Sequence, residues 1–207
     1  MEILTSLLVG GVFFGRSSLG IMTKPYETYR RIVDRANLGE LFWLAALLAC
    51  YFALASLVRT AAFRPFLLTK QFILLAGGAT AGFALSVLVF WTIGRLVGGR
   101  GSIAALALAW AYTLVPTTVW FLATSLLYVL LPPPRTTSVL GITFSIVFLI
   151  FSITLFWWKL TLAYLTLRFG LKLDLAKILV VAAFSLPILA AYSVGMYRMG
   201  IFKVPFL

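Results

Sequence analysis

GRLVGGRGS, residues 94–102, admits two incompatible readings. As a phosphate-binding loop it would need a β-strand before it, a helix after it and a lysine beside its glycines, because backbone amides and one ammonium together cradle the phosphate. Here a long apolar run comes first, arginine stands where the lysine belongs, and Gly101 separates Arg100 from Ser102. That context argues against a nucleotide site. Gly98, Gly99 and Gly101 instead supply residues free to adopt positive φ, so the chain reverses within a few residues, with Arg95 and Arg100 at the lipid headgroups. The stretch reads as a tight turn between two membrane spans.

Composition supports a lipid environment. Of 207 residues, 63% are hydrophobic and 11% charged, with seventeen Lys or Arg, five Asp or Glu and no histidine. Soluble domains carry about a quarter charged residues, so this chain lacks the polar surface to cover itself in water. An aliphatic bilayer core of about 30 Å needs about 20 helical residues. Five apolar segments meet that length, at residues 41–58, 72–93, 103–131, 139–158 and 178–197. The expected fold is all-α: a five-helix transmembrane bundle (residues 41–207) preceded by an N-terminal interfacial segment (residues 1–40). PPP at 132–134 lacks backbone donors and belongs outside the hydrocarbon. Cys50, alone and within an apolar run, reads as a small buried hydrophobe, and one cysteine forms no intrachain disulfide.

In the N-terminal segment, residues 3–15 are apolar but short for a span, as a surface-lying or re-entrant helix would be. Glu2 occupies the place of a basic n-region and no A-x-A-like cleavage site follows, so a signal peptide is the weaker alternative. Next, Pro25 suits a first helical turn, Tyr26, Tyr29, Ile32 and Val33 share a face, and Glu27, Arg30, Arg31, Asp34 and Arg35 form the wet side. This predicts an amphipathic helix at the membrane surface. Asn37 with Glu40 three residues on resembles a capping box for the first span.

Lys and Arg divide unequally between the two sides. Arg16, Lys24, Arg30, Arg31, Arg35, Arg95, Arg100, Lys159, Arg168, Lys172 and Lys177 make eleven on one; Arg59, Arg64, Lys70, Arg135, Arg198 and Lys203 make six on the other. The positive-inside rule places the amino terminus in the cytoplasm and the carboxyl terminus outside. Anionic lipids attract such juxtamembrane cations at about 1 kcal/mol each, so Arg30, Arg31, Arg35, Lys172 and Lys177 are candidate contacts for anionic headgroups. A nucleic-acid partner is disfavoured because the charges are spread among the spans instead of gathered on one soluble face.

Chemistry within the membrane has few residues to work with. Every Asp and Glu falls outside the apolar segments, with Glu40 at the first entrance, so a proton-driven carrier is disfavoured. Without histidine, a serine–histidine hydrolase and a histidine-rich metal site have no basis, and no catalytic, cofactor or metal residues are assigned. Lys159, after Trp157 and Trp158, reads as a lysine reaching for the headgroups. Pro116 and Pro187 lie near the middles of the third and fifth spans and are candidate helix bends, with Thr113, Thr117 and Ser185 at hand to satisfy freed backbone groups. Gly77, Gly78, Ala81 and Gly82 permit close helix approach, within the chain or against a second copy.

GRLVGGRGSIAALALAWAYTLVP (94–116), KPYETYRRIV before the first span, and Trp157, Trp158 and LRFGLKLDLAK before the fifth occur in an order that resembles the Yip1-domain membrane proteins, over residues 23–197. The resemblance implies a five-helix membrane domain with a cytoplasmic amino terminus. Eukaryotic members act in ER and Golgi traffic with Rab GTPases and with one another, usually through a longer cytosolic segment. With about forty residues before its first span, this chain is more similar to the compact prokaryotic branch, and Rab binding is not carried over. The implied role is a non-enzymatic scaffold, accessory subunit or membrane-organisation factor in the prokaryotic cytoplasmic membrane, with lipids and a second copy or another membrane protein as partners. The alternative is a lipid or small-solute permease using the two proline bends.

Overall fold

The computed structural model describes residues 2–60, 65–130 and 138–201. All regular structure among these residues is helical: α1 (Glu2–Thr23), α2 (Pro25–Arg35), α3 (Gly39–Thr60), α4 (Pro65–Leu96), α5 (Ile103–Tyr112), α6 (Val115–Leu130), α7 (Val139–Leu165), a π-helical turn (Thr166–Gly170) and α8 (Leu175–Arg198). Among the described residues five stretches are long and apolar enough to cross a membrane, and the third is divided between α5 and α6. The proline run at 132–134 lies outside the described residues.

The third span is the centre of the bundle. In its most apolar window 56% of residues are buried, against 6% for the α7 window. The reason is composition: IAALALAWAY is alanine-rich, so α5 lets its neighbours come close, and it packs against α2, α3, α4 and the π-helical turn. Around it α8 packs on α4, α4 on α3 and α3 on α6, while α7 stays largely exposed and meets α6 where Trp120 stacks on Phe148 and Phe151. One apolar cluster joins Ile21, Tyr29, Ile32, Leu108, Tyr112 and Leu162. A second joins Val87, Phe90, Leu106, Leu171, Ile178 and Val181.

Proline chemistry accounts for the division of the third span. Pro116 has no N–H, and a continuous helix would press its ring on the Tyr112 carbonyl four residues back. The α-helix therefore stops at Tyr112, passes through i→i−3 bonds from the Thr113 and Leu114 amides to the Trp110 and Ala111 carbonyls, and resumes with Pro116 in the first turn of α6. There the missing donor costs nothing. Thr113 Oγ1 donates to the Trp110 carbonyl at 2.7 Å and Thr117 Oγ1 to the Leu114 carbonyl at 3.0 Å. Pro187, by contrast, lies inside an unbroken α8 on an exposed face, and buried Ser185 Oγ makes no hydrogen bond among the described residues.

The N-terminal segment holds two helices. α1 runs the full Glu2–Thr23, longer than the apolar stretch 3–15, and packs on α3 where the Gly10 backbone meets Gly39 and Gly11 meets the Trp43 ring. α2 is amphipathic, but its apolar stripe meets protein: Tyr29 and Ile32 are fully buried against α5 and the π-helical turn. Tyr26 stacks edge-on against Phe169 at one end of α2 and Arg35 reaches Glu40 at the other. Burial pushes the Tyr29 phenol well above its usual range, although Thr166 lies beside it.

The spans differ in length. At 1.5 Å per residue the 32 residues of α4 extend about 48 Å, beyond a hydrocarbon core of about 30 Å, while the 19-residue apolar window of α3 matches that core. α2 packs alongside α5, the central helix. Cys50 is exposed on α3, a correction to the expected buried hydrophobe. A bilayer accepts a thiol on an outward helix face as readily as a core does, so apolar context alone does not separate the two.

Ala36 closes α2 with φ 44° and ψ 40°, its amide bonding the Ile32 carbonyl. A Cβ in this left-handed conformation is strained, and glycine is the favoured residue there. Ala36→Gly is expected to raise stability by about 0.5–1 kcal/mol, read as a higher unfolding midpoint in detergent.

Candidate functional site

Four helices bring polar side chains to one buried point. Glu40 occupies the first turn of α3, Tyr112 ends α5, Arg35 ends α2 and Ser17 belongs to α1. The Glu40 side chain is wholly buried. Its Oε2 accepts a short hydrogen bond from the Tyr112 hydroxyl, and its Oε1 lies 3.4 Å from Arg35 Nη2. The same Nη2 donates to Ser17 Oγ at 3.1 Å, and the guanidinium sits 4.1 Å above the Phe13 ring. A carboxylate in such a place costs several kcal/mol to desolvate unless a cation and hydrogen-bond donors offset it; here Arg35 and the Tyr112 hydroxyl do so in part, while Oε1 has the ion pair and no hydrogen bond. The arrangement ties α1 and α2 to the membrane bundle.

This departs from the capping-box expectation. Asn37 Oδ1 does accept from the Gly39 amide at 3.0 Å, but the Glu40 carboxylate turns away from the helix terminus toward Tyr112 and Arg35. Local spacing exposed the acid and the arginine. The meeting of Glu40 with Tyr112 joins residues 72 apart in the chain, which local spacing does not reveal.

The five candidate lipid contacts do not form one site. Arg31 pairs with Glu27 at 3.0 Å and Arg30 with Asp34 at 4.0 Å, both on the open face of α2, where such pairs contribute a few tenths of a kcal/mol. Arg35 is engaged with Glu40, Ser17 and Phe13. Lys172 and Lys177 lie instead beside the glycine turn, both exposed.

In that turn only Gly98 uses a positive φ, 92°. Gly99 and Gly101 serve another purpose. A Cβ on Gly101 would lie 1.6 Å from the Gly170 carbonyl oxygen, and one on Gly99 would lie 2.8 Å from the Gly94 oxygen. The Arg100 amide donates to the Leu171 carbonyl at 3.0 Å, so the turn and the segment before α8 are joined backbone to backbone. The expectation of three glycines with positive φ is corrected accordingly: close approach, invisible to local sequence, explains the other two. Of the small residues on α4, Gly82 faces Tyr192 of α8, whose hydroxyl donates to the Gly78 carbonyl at 2.5 Å, while Gly77 faces open space.

Two shallow depressions lie on the outer faces of single helices, one on α4 by Phe66 and Lys70 and one on α7 by Ile142 and Ser145, away from both constellations. Among the described residues no group of three His, Cys, Asp or Glu side chains is placed to hold a metal ion.

Comparison with known proteins places these features. No curated protein and no solved structure shows significant similarity to the chain. The family model for the Yip1 domain matches residues 19–196, from the end of α1 through all five spans to the last turns of α8. The chain is a multi-pass integral membrane protein and belongs to the Yip1-domain family.

Proposed function

We propose that this Yip1-domain protein is a non-enzymatic membrane scaffold, acting as an accessory subunit or a membrane-organising factor in a prokaryotic cytoplasmic membrane, with its amino terminus in the cytoplasm and its carboxyl terminus outside. The observation that carries the reading is the enclosure of Glu40. Among the described residues the wholly buried Glu40 carboxylate is held by Arg35 and Tyr112 in contacts that join helices. Elsewhere the apolar outer face of α7, with Leu149, Ile150, Phe156 and Trp157 exposed, meets lipid or another membrane protein.

A permease is the second reading, and the divided third span favours it: Pro116 and Thr118 are buried at the break, where Pro116 has no N–H to offer the Tyr112 carbonyl. Flux measurements in liposomes discriminate between the two. The scaffold reading expects no saturable flux of the solutes and lipids tried, together with a stable partner co-purifying in mild detergent. Saturable flux that is lost in Pro116→Ala would replace it with the permease. A reporter fused to the carboxyl terminus is expected to report the outside; a cytoplasmic signal would overturn the proposed orientation.

A further inference from the structure

We infer that the joined glycine turn and pre-α8 segment form a binding site for the phosphate of an anionic lipid headgroup, with Arg95, Arg100, Lys172 and Lys177 as its cations. The site rests on the reading that the basic end of the bundle faces a membrane leaflet. Its starting point is the backbone junction. The Arg100 amide bonds the Leu171 carbonyl and Gly101 lies against Gly170, so Arg100 and Lys172 are held on adjacent segments. Lys177, in the first turn of α8, brings its Nζ to 3.5 Å from where a Cβ on Gly98 would stand. Arg95, in the last turn of α4, curls back to the Gly99 carbonyl at 3.4 Å and over the Trp91 ring.

Four cations are thus gathered on two rigidly connected segments. Among the described residues none of them has a carboxylate within ion-pair distance; the three ion pairs all lie on α2 or between α2 and α3. Uncompensated like charges repel, and an anion relieves that repulsion. Lys172 is also held at φ 55°, a conformation that L side chains seldom adopt. Asp174, the N-cap of α8, makes no side-chain cap hydrogen bond and no ion pair with these four cations among the described residues.

The neighbouring surface identifies the anion as lipid-borne. Leu96, beside Arg95, is 83% exposed, and Leu175 and Leu179 are exposed next to Lys177. Apolar side chains flanking a basic rim at the ends of spans suit a ligand with a phosphate and acyl chains, whereas a free phosphate needs no apolar border.

The test is native mass spectrometry of the full chain released from nanodiscs containing phosphatidylglycerol and phosphatidylcholine in equal amounts. Wild type is expected to retain phosphatidylglycerol selectively. Each cation near a headgroup contributes about fivefold, so Arg100→Gln/Lys177→Gln is expected to lose roughly twenty-five-fold of that preference. Arg30→Gln/Arg31→Gln, equal in charge change, is expected to keep it. Equal losses in the two variants would show diffuse attraction and overturn the site, as would absence of preference in wild type. Inorganic phosphate retained without lipid, and lost in the first variant, would assign the site to free phosphate and overturn the lipid assignment. Should the double variant elute as an aggregate or lose helical circular dichroism, Lys177→Gln alone reads the same quantity at about fivefold. Flux through liposomes made with the same variants reports on the scaffold reading independently, so failure of one is distinct from failure of the other.

Discussion

Gly101→Ala is expected to destabilise the protein by about 3 kcal/mol or more, lowering the unfolding midpoint in detergent by about 10 °C. The added carbon would sit 1.6 Å from the Gly170 carbonyl oxygen, 2.6 Å from its carbon and 2.8 Å from Leu171 Cα. All three are backbone atoms, so no rotamer change relieves the overlap. The two segments must separate by more than an ångström, which breaks the hydrogen bond from the Arg100 amide and unseats Leu171, wholly buried in the second apolar cluster. Gly77→Ala is the matched control. It adds the same methyl group in open space within α4, where alanine is the better helix former, and is expected to add about 0.5–1 kcal/mol. Equal midpoints for the two variants would show that the backbone junction does not hold the turn.

The same glycines show how far sequence reasoning reaches. Apolar run length placed five spans, because lipid imposes a minimum length that composition satisfies or does not. The turn at 94–102 was legible for the same reason: glycines and arginines between two such runs have few alternatives. The purpose of each glycine was not, since Gly99 and Gly101 answer to contacts with Gly94 and Gly170 and only Gly98 to its own φ. Span ends were also blurred. α4 extends from Pro65 to Leu96, beyond residues 72–93, because Arg95, Lys70 and Gln71 are tolerated in a helix that projects past the hydrocarbon. The third span hid its division. Pro116 marked a disturbance, but the α-helix ends at Tyr112, four residues before the ring that obstructs it.

Tyr112, the last residue of α5, lies against Glu40, and the Glu40–Arg35 pair beside it has an asymmetry that mutation exposes. The Arg35 side chain is 30% exposed and that of Glu40 is wholly buried, so the two partners differ in what they lose when left alone. After Glu40→Gln the guanidinium still reaches water, Ser17 and the Phe13 ring, and the amide oxygen still accepts from Tyr112. The expected cost is about 1–2 kcal/mol. After Arg35→Met the carboxylate keeps only the tyrosine hydroxyl, with no access to water, and the expected cost is about 3–5 kcal/mol. Combining the substitutions removes the stranded charge, so the double variant is expected to be more stable than Arg35→Met alone, a coupling of about 1–3 kcal/mol in a double-mutant cycle. Unfolding of each variant in one detergent measures all four corners. A Glu40→Gln cost equal to or above that of Arg35→Met, or strict additivity, would mean that the carboxylate is not held by this arginine. The enclosure on which the scaffold reading stands would then be lost, because an acid free of Arg35 at the end of α5 lies next to the helix break at Thr113 and Leu114, where a polar path through the third span would begin.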